Sequence, residues 1–396
     1  MAAVVVALAA ACGATPEPTP VPVSTAGAPA SSDPVAGPPP APGHELYGFV
    51  PYWEMDAGIA GHLARTPLTT LALFSVTITS TGAVNTRQNG YRAITGDVGR
   101  SVIREARDRG TRVDLVFSSF GATRNDRFFA DTGLQDATIA SLVSLVGRLK
   151  LDGLDLDVEA LDPELVPAYG AFVGRARDAL VAADAKDRLT VATGAGPLGA
   201  AMALAAVTAG ADRVFLMGYD YRTATSSPGA TDPLGREDGG GDLPASLDLY
   251  AALGVPVQRT ILGLPLFGMT WPAAGPVVGA PLTGLGRPWI PRRNLDVLTN
   301  PAIVPLHDDV EAVDVYLSGS DGSVAPPPPG ATFDPSAPPV SWTAVYVDSP
   351  ATLGRKLQLA NDRGLAGGGF WAVGYERGVP GYQELMDRFV AGRPPG

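Results

Sequence analysis

An α/β fold, specifically a (β/α)8 TIM barrel with a small insertion between strand 7 and strand 8, is predicted for most of this 396-residue chain. Three observations predict it. Short β-rich runs alternate with stretches whose apolar residues recur at helical spacing, eight such strand candidates follow one another, and no internal repeat or second linker divides them. Repeated βα units imply parallel strands with right-handed crossovers, and eight of them favour a closed barrel over an open sheet.

The strand candidates, in order, are Leu46–Tyr52, Leu71–Thr77, Arg112–Ser118, Gly153–Glu159, Leu189–Thr193, Arg213–Tyr219, Thr260–Pro265 and Gly368–Val373. Between them, Val98–Arg109, Thr138–Leu149, Glu164–Ala183, Leu198–Ala209 and Ala351–Arg363 carry the helical pattern. The interval from Trp271 to Ala344 is too long for a simple βα connection, so an insertion of about residues 272–343, walling one side of a cleft, is expected there. Pro326 to Pro329 reads as an exposed loop within it.

Ahead of the barrel, residues 1–12 form an apolar run too short to span a bilayer but suited to the core of an export signal. Small residues lead up to Cys12, the only cysteine, as in a bacterial lipoprotein cleavage box, so Cys12 is the expected lipidation site. About a third of residues 13–43 are proline, a composition that reads as an extended tether. The catalytic unit is therefore expected over 44–396, exported and held at a bacterial envelope, with membrane contact only through that lipid.

Composition excludes several function classes. Apolar residues make up 45% and charged residues 17%, as in globular proteins. The formal charge of −11, with no Lys/Arg block to offset it, argues against nucleic acid as a partner. One cysteine and three histidines, His44, His62 and His307, lack the density of a zinc site, and all three histidines read as surface residues. No metal and no cofactor are expected.

The segment Asp152 to Glu159, D-G-L-D-L-D-V-E, carries the chemistry. Strand alternation puts Asp155, Asp157 and Glu159 on one face and Leu154, Leu156 and Val158 on the other. With the apolar set packed on helices, three carboxylates line the barrel interior, at a cost of about several kcal/mol per unpaired ion. Glu159 comes last, at the C-terminal strand end where barrel enzymes place reacting groups. Like charges below it disfavour its ionisation, which lets it hold a proton as a general acid must. Asp157 lies one pleat deeper, roughly 6–7 Å along the strand.

This D-x-x-D-x-D-x-E pattern resembles glycoside hydrolase family 18, the chitinases and their relatives. Further motifs follow in the expected order. Ser119-Phe120-Gly121-Ala122 is similar to the family's S-x-G-G, Met217-Gly218-Tyr219-Asp220 matches M-x-Y-D, and Gly263 to Gly268 is similar to G-x-P-x-Y-G with Phe267 for Tyr. Trp371 ends strand 8, where the family has the tryptophan under the −1 sugar.

The resemblance implies a retaining, substrate-assisted mechanism, an exception to the two-carboxylate scheme. Glu159 would be the acid/base, with the substrate's 2-acetamido oxygen as nucleophile. Asp157 would orient the acetamide nitrogen, Tyr219 would hold its oxygen, and Asp155 would hold Asp157 between turnovers. Asp220 would bond the distorted sugar and Trp371 would stack on it. Met217 reads as a substrate contact or as core, Trp53 as a sugar platform or as rim packing, and Asp152 as structural. Where many chitinases carry Tyr after the strand 1 glycine, Phe49 follows Gly48, which leaves Ser119 as the expected support of the buried aspartate.

The resemblance implies a polysaccharide containing N-acetylglucosamine as partner, and a monomer is expected. Three functions stay open: hydrolysis of chitin-like chains, the same chemistry on peptidoglycan glycan, or non-catalytic sugar binding. The ending Trp371 to Glu376, W-A-V-G-Y-E, is similar to that of bacterial and spore-cortex members, which favours the second. Non-catalytic relatives usually lack the acid, and Glu159 is present.

Overall fold

The computed structural model describes residues 44–301, 303–326 and 340–395. The export segment 1–12, Cys12, the tether 13–43 and Pro327 to Pro329 lie outside the described residues. No described helix is long and apolar enough to cross a membrane.

Eight parallel strands close into a barrel: β1 Glu45–Pro51, β2 Thr70–Val76, β3 Arg112–Phe120, β4 Gly153–Glu159, β5 Arg188–Gly194, β6 Arg213–Met217, β7 Thr260–Pro265 and β8 Gly367–Trp371. β8 closes the circle between β7 and β1, pairing Gly367 with Glu45 and Trp371 with Pro265. Every predicted strand is present, most with ends moved by one or two residues. At β6 the pairing with its neighbours stops at Met217, which leaves Tyr219 in the following loop.

Two apolar cores result from strand alternation. Outward residues such as Leu115, Leu154 and Leu156 pack with helix residues such as Phe172 and Leu142. Inward residues Tyr47, Phe49, Ala72, Phe74, Val116, Ala192, Phe215 and Ile261 fill the barrel. Gly153 is set by this crowding, since a Cβ there would lie 2.2 Å from the Arg188 carbonyl oxygen and 2.9 Å from Asp114 Oδ1.

The insertion between β7 and β8 is an antiparallel sheet with its own core of Met269, Trp271, Val313, Val315, Leu317 and Tyr346. It is wider than expected, because Gly268–Ala273 pairs with Trp342–Val347, bringing residues on both sides of the predicted limits into the sheet. A second long connection, residues 218–242, joins β6 to helix Leu243–Leu253 and contains no regular element.

Candidate active site

The inward face of β4 carries Asp155, Asp157 and Glu159. Register places them beside Val116, Ser118 and Phe120 of β3. Asp155 is fully buried, Asp157 is 4% exposed, and Glu159 is half-buried at the strand end. Met217, Tyr219 and Trp371 all pack on the same interior cluster, so β4, β6 and β8 bring their residues to one end of the barrel. Trp371 meets Phe74 edge-on at 4.6 Å and lies 6.2 Å from Trp53, a residue 40% exposed whose Nε1 donates to the Tyr375 hydroxyl at 3.0 Å.

Removal from water shifts the carboxyls upward, because the charged form loses most. Burial lifts Asp155 to about 7, offset in part by the Tyr47 hydroxyl. Asp157 is raised well above the ordinary range by burial, then by the charges of Glu159 and Asp155, and its Oδ1 has no hydrogen-bond partner. Glu159 is raised by burial and then by Asp220. Asp157 and Glu159 titrate together, so a protonation step there belongs to the pair. Tyr219 is also raised, by burial first and then by Asp157 and Asp220, and keeps its proton as a donor.

Asp220 stands at the rim with solvent access, yet enough protein surrounds its carboxyl to push it up to about 6, against a lowering contribution from the Thr231 hydroxyl. Its φ is 64°, and Ala160, immediately after Glu159, has φ 58°. A left-handed non-glycine residue costs of order 1 kcal/mol, less for Asp than for Ala. The backbone is therefore constrained directly after β4 and in the loop that follows β6.

Two expectations are corrected. Ser119 does not support the buried aspartates. It pairs with the outward Val158, and its hydroxyl donates to Asn125 Oδ1 at 2.7 Å, while Asn125 Nδ2 donates to the Glu159 carbonyl at 2.6 Å. Ser119 thus braces the end of β4 through helix Ala122–Phe129. The inward serine is Ser118, paired with Ser75 at 2.8 Å. Support for Asp155 comes from Tyr47, the residue before Gly48, whose hydroxyl lies 2.8 Å from Asp155 Oδ2 and 3.3 Å from Asp114 Oδ2.

His62 is the second correction. It is buried, and its Nε2 lies 2.6 Å from Glu376 Oε1, while the Gly374 amide donates to Glu376 Oε2. The ending W-A-V-G-Y-E therefore closes on β1's following helix, Ile59–Leu63, instead of presenting its glutamate to the cleft. His307 is exposed beside Asp314 at 2.8 Å, and His44 meets Phe389 edge-on. Asp152 accepts from the Val113 amide at 2.8 Å, a structural role as expected.

Sequence reasoning missed Asp114, fully enclosed on β3 and lifted by burial to about 8. A lone acid within the apolar run R-V-D-L-V-F was the available signal. Among the described residues, no group of three or more His, Cys, Asp or Glu is placed to hold a metal ion.

Comparison with known proteins gives these features a family. Residues 70–376 match the sequence model of Glycosyl hydrolases family 18, and the chain belongs to that family. Mouse (Mus musculus) chitotriosidase-1 is 26% identical over 192 residues, 43% of this chain and 41% of the mouse protein, so the chain spans less than half of that relative's length. A Cycas revoluta chitinase solved with (GlcNAc)3 superposes with a TM-score of 0.68 at 18% identity, covering 89% of this chain and 98% of the other. The spore cortex-lytic enzyme SleL of Bacillus cereus gives 0.65 at 16% identity, over 88% and 74%. At these identities the two structural likenesses are likenesses of fold.

Proposed function

We propose that the chain is a retaining glycoside hydrolase that cleaves β-linked, N-acetylglucosamine-containing glycans of the chitin type by substrate-assisted catalysis. The observation that carries the reading is the placement of Glu159 at the open end of β4. It shares a face with two buried, upward-shifted aspartates, while Tyr219 and Trp371 arrive from β6 and β8. Glu159 enters the reaction protonated and gives its proton to the leaving glycosidic oxygen. The substrate's acetamido oxygen attacks the anomeric carbon from the other side. Asp157, whose Oδ1 has no hydrogen-bond partner within the protein, holds the acetamide N–H, and the Tyr219 hydroxyl donates to the acetamide oxygen. Water then opens the oxazolinium ring as Glu159 takes a proton back, which restores the enzyme with net retention.

Asp220 bonds the distorted sugar, Trp371 offers its face to the sugar's apolar side, and Met217 borders the same floor. Trp53, exposed at the rim and steadied by Tyr375, extends the aromatic surface. The chain acts as a monomer, exported and held to the envelope through Cys12.

Peptidoglycan glycan is the second reading. It is favoured by the Trp371 to Glu376 ending and by the likeness of fold to SleL, a spore cortex-lytic enzyme. The test of both is product analysis after incubating the full chain and its Glu159→Gln variant with chitin oligosaccharides and, separately, with purified peptidoglycan. Release of N-acetylglucosamine-ended products by the wild type, with turnover lowered by about three orders of magnitude or more in the variant, is expected. Wild-type turnover in the variant contradicts the assignment of Glu159, and release from peptidoglycan alone selects the second reading.

A further inference from the structure

We infer that Thr231, anchored by a buried Lys356–Asp232–Asp348 cluster, is a positioning residue for Asp220. The inference rests on the catalytic reading above. Asp220 adopts its left-handed conformation in the loop 218–242, which has no ladder of its own to hold it. Two hydrogen bonds accepted by one residue do so instead. The Asp220 amide donates to Thr231 Oγ1 at 2.9 Å, and the next amide, of Tyr221, donates to the Thr231 carbonyl at 3.0 Å. Thr231 is 3% exposed, so few water molecules compete for either bond.

What fixes Thr231 is its neighbour. Asp232 is buried and accepts from Lys356 Nζ at 2.7 Å, and the same ammonium reaches both oxygens of Asp348 at 2.7 and 2.8 Å. Thr352 Oγ1 donates to Asp348 at 2.7 Å, and the Tyr382 hydroxyl donates to the Asp348 carbonyl. Lys356 lies on helix Pro350–Asp362, which precedes β8. The cluster therefore ties the Asp220 loop to the barrel unit that ends in Trp371.

Stability alone is a poor account of this arrangement. A buried ammonium between two carboxylates, with Asp232 Oδ2 unpartnered, carries a desolvation cost that an apolar replacement of equal shape avoids. What such a cluster does supply is direction, because one ammonium bonded to two buried carboxylates ties Asp232, and with it Thr231, to a fixed helix. The loop has a second attachment on the insertion, where Arg222 pairs with Glu311 and the Ala230 amide donates to Glu311 Oε2 at 2.6 Å. Thr231 lies next to Ala230, between the two anchors, and faces Asp220.

The Thr231 hydroxyl also holds the Asp220 carboxyl below the value that burial alone would give, and Asp220 in turn helps keep Glu159 protonated. Loss of that hydroxyl should therefore alter the protonation of the site as well as its shape. The test compares Thr231→Val, Thr231→Ser and Asp232→Asn in the full chain, by kcat, KM and pH profile on chitin oligosaccharides or peptidoglycan, whichever the wild type cleaves, and by thermal melting. Thr231→Val is expected to lower kcat about tenfold with KM within about twofold, and to move the acid limb of kcat/KM to higher pH. Thr231→Ser is expected to restore both, and Asp232→Asn to reproduce the kcat loss. A Thr231→Val enzyme that melts earlier but keeps the wild-type kcat and acid limb overturns the inference and leaves the catalytic reading intact. A wild-type chain that cleaves neither glycan overturns that reading and this inference with it.

Discussion

The Tyr47 hydroxyl donates to Asp155 Oδ2 at 2.8 Å from the strand position before Gly48, while Phe49, the position after it, packs edge-on against Phe215 at 4.8 Å. Both side chains point into the barrel because they are two residues apart on β1. The deepest aspartate of the β4 column thus keeps a phenolic donor although the residue following the glycine has none.

Tyr47→Phe tests what that donor does. The hydroxyl lowers the Asp155 carboxyl, which burial lifts to about 7, so its removal should raise Asp155 further. At neutral pH Asp155 then carries a proton more of the time, which weakens the upward push of its charge on Asp157. We expect kcat to fall roughly tenfold and the limb of the pH profile governed by Asp155 to move to higher pH. Urea unfolding should also show a loss of about 1–3 kcal/mol, since both Asp155 oxygens become unpartnered. A pH profile identical to that of the wild type contradicts the role.

Asp114 makes stability depend on pH. Its carboxyl titrates near 8 in the folded protein against an ordinary value of 3.8. Below about pH 4 both states hold the proton and nothing is lost. Between there and about pH 8 the unfolded chain releases a proton that the folded chain retains, so stability falls as pH rises. Asp114→Asn has no such titration. Its melting temperature relative to the wild type should climb by several degrees from pH 5 to 8. A difference that stays constant with pH contradicts the burial of a protonated Asp114.

Asn125 is expected to act on rate more than on binding. Its amide joins Ser119 to the Glu159 carbonyl, fixing the last residue of β4 just before the left-handed Ala160. Asn125→Ala should lower kcat about tenfold with little change in KM, because the acid loses its aim while the sugar floor is untouched. Steady-state kinetics check this, and a change confined to KM contradicts it.

Much of this architecture was legible in the sequence because the barrel repeats one local pattern. Alternation identified all eight strands and the shared face of Asp155, Asp157 and Glu159, which rests on period two alone. What stayed hidden depends on neighbours distant in sequence. The Tyr47–Asp155 bond links residues 108 apart and the Lys356–Asp232 bond residues 124 apart, and no local spacing encodes either. His62 reads as a surface residue until Glu376, 314 residues on, is placed beside it. Ser119 was assigned to the interior although Ser118 occupies it, because the register of β3 against β4 is set by Val116 facing Asp155 rather than by the motif. The sheet of the insertion reaches a few residues beyond both expected limits because Gly268–Ala273 and Trp342–Val347, far apart in sequence, pair with each other.

The central claim is that the substrate, not the protein, supplies the nucleophile that Glu159 assists. The direct measurement compares the full chain's hydrolysis of an N-acetylglucosamine oligosaccharide with that of the same oligosaccharide bearing a free amine on the −1 sugar. Replacing N-acetyl removes the attacking oxygen together with the groups that Asp157 and Tyr219 hold, so cleavage of the amine should nearly cease. Equal rates on the two substrates would contradict substrate assistance and direct the search to a carboxylate nucleophile, beginning with Asp220.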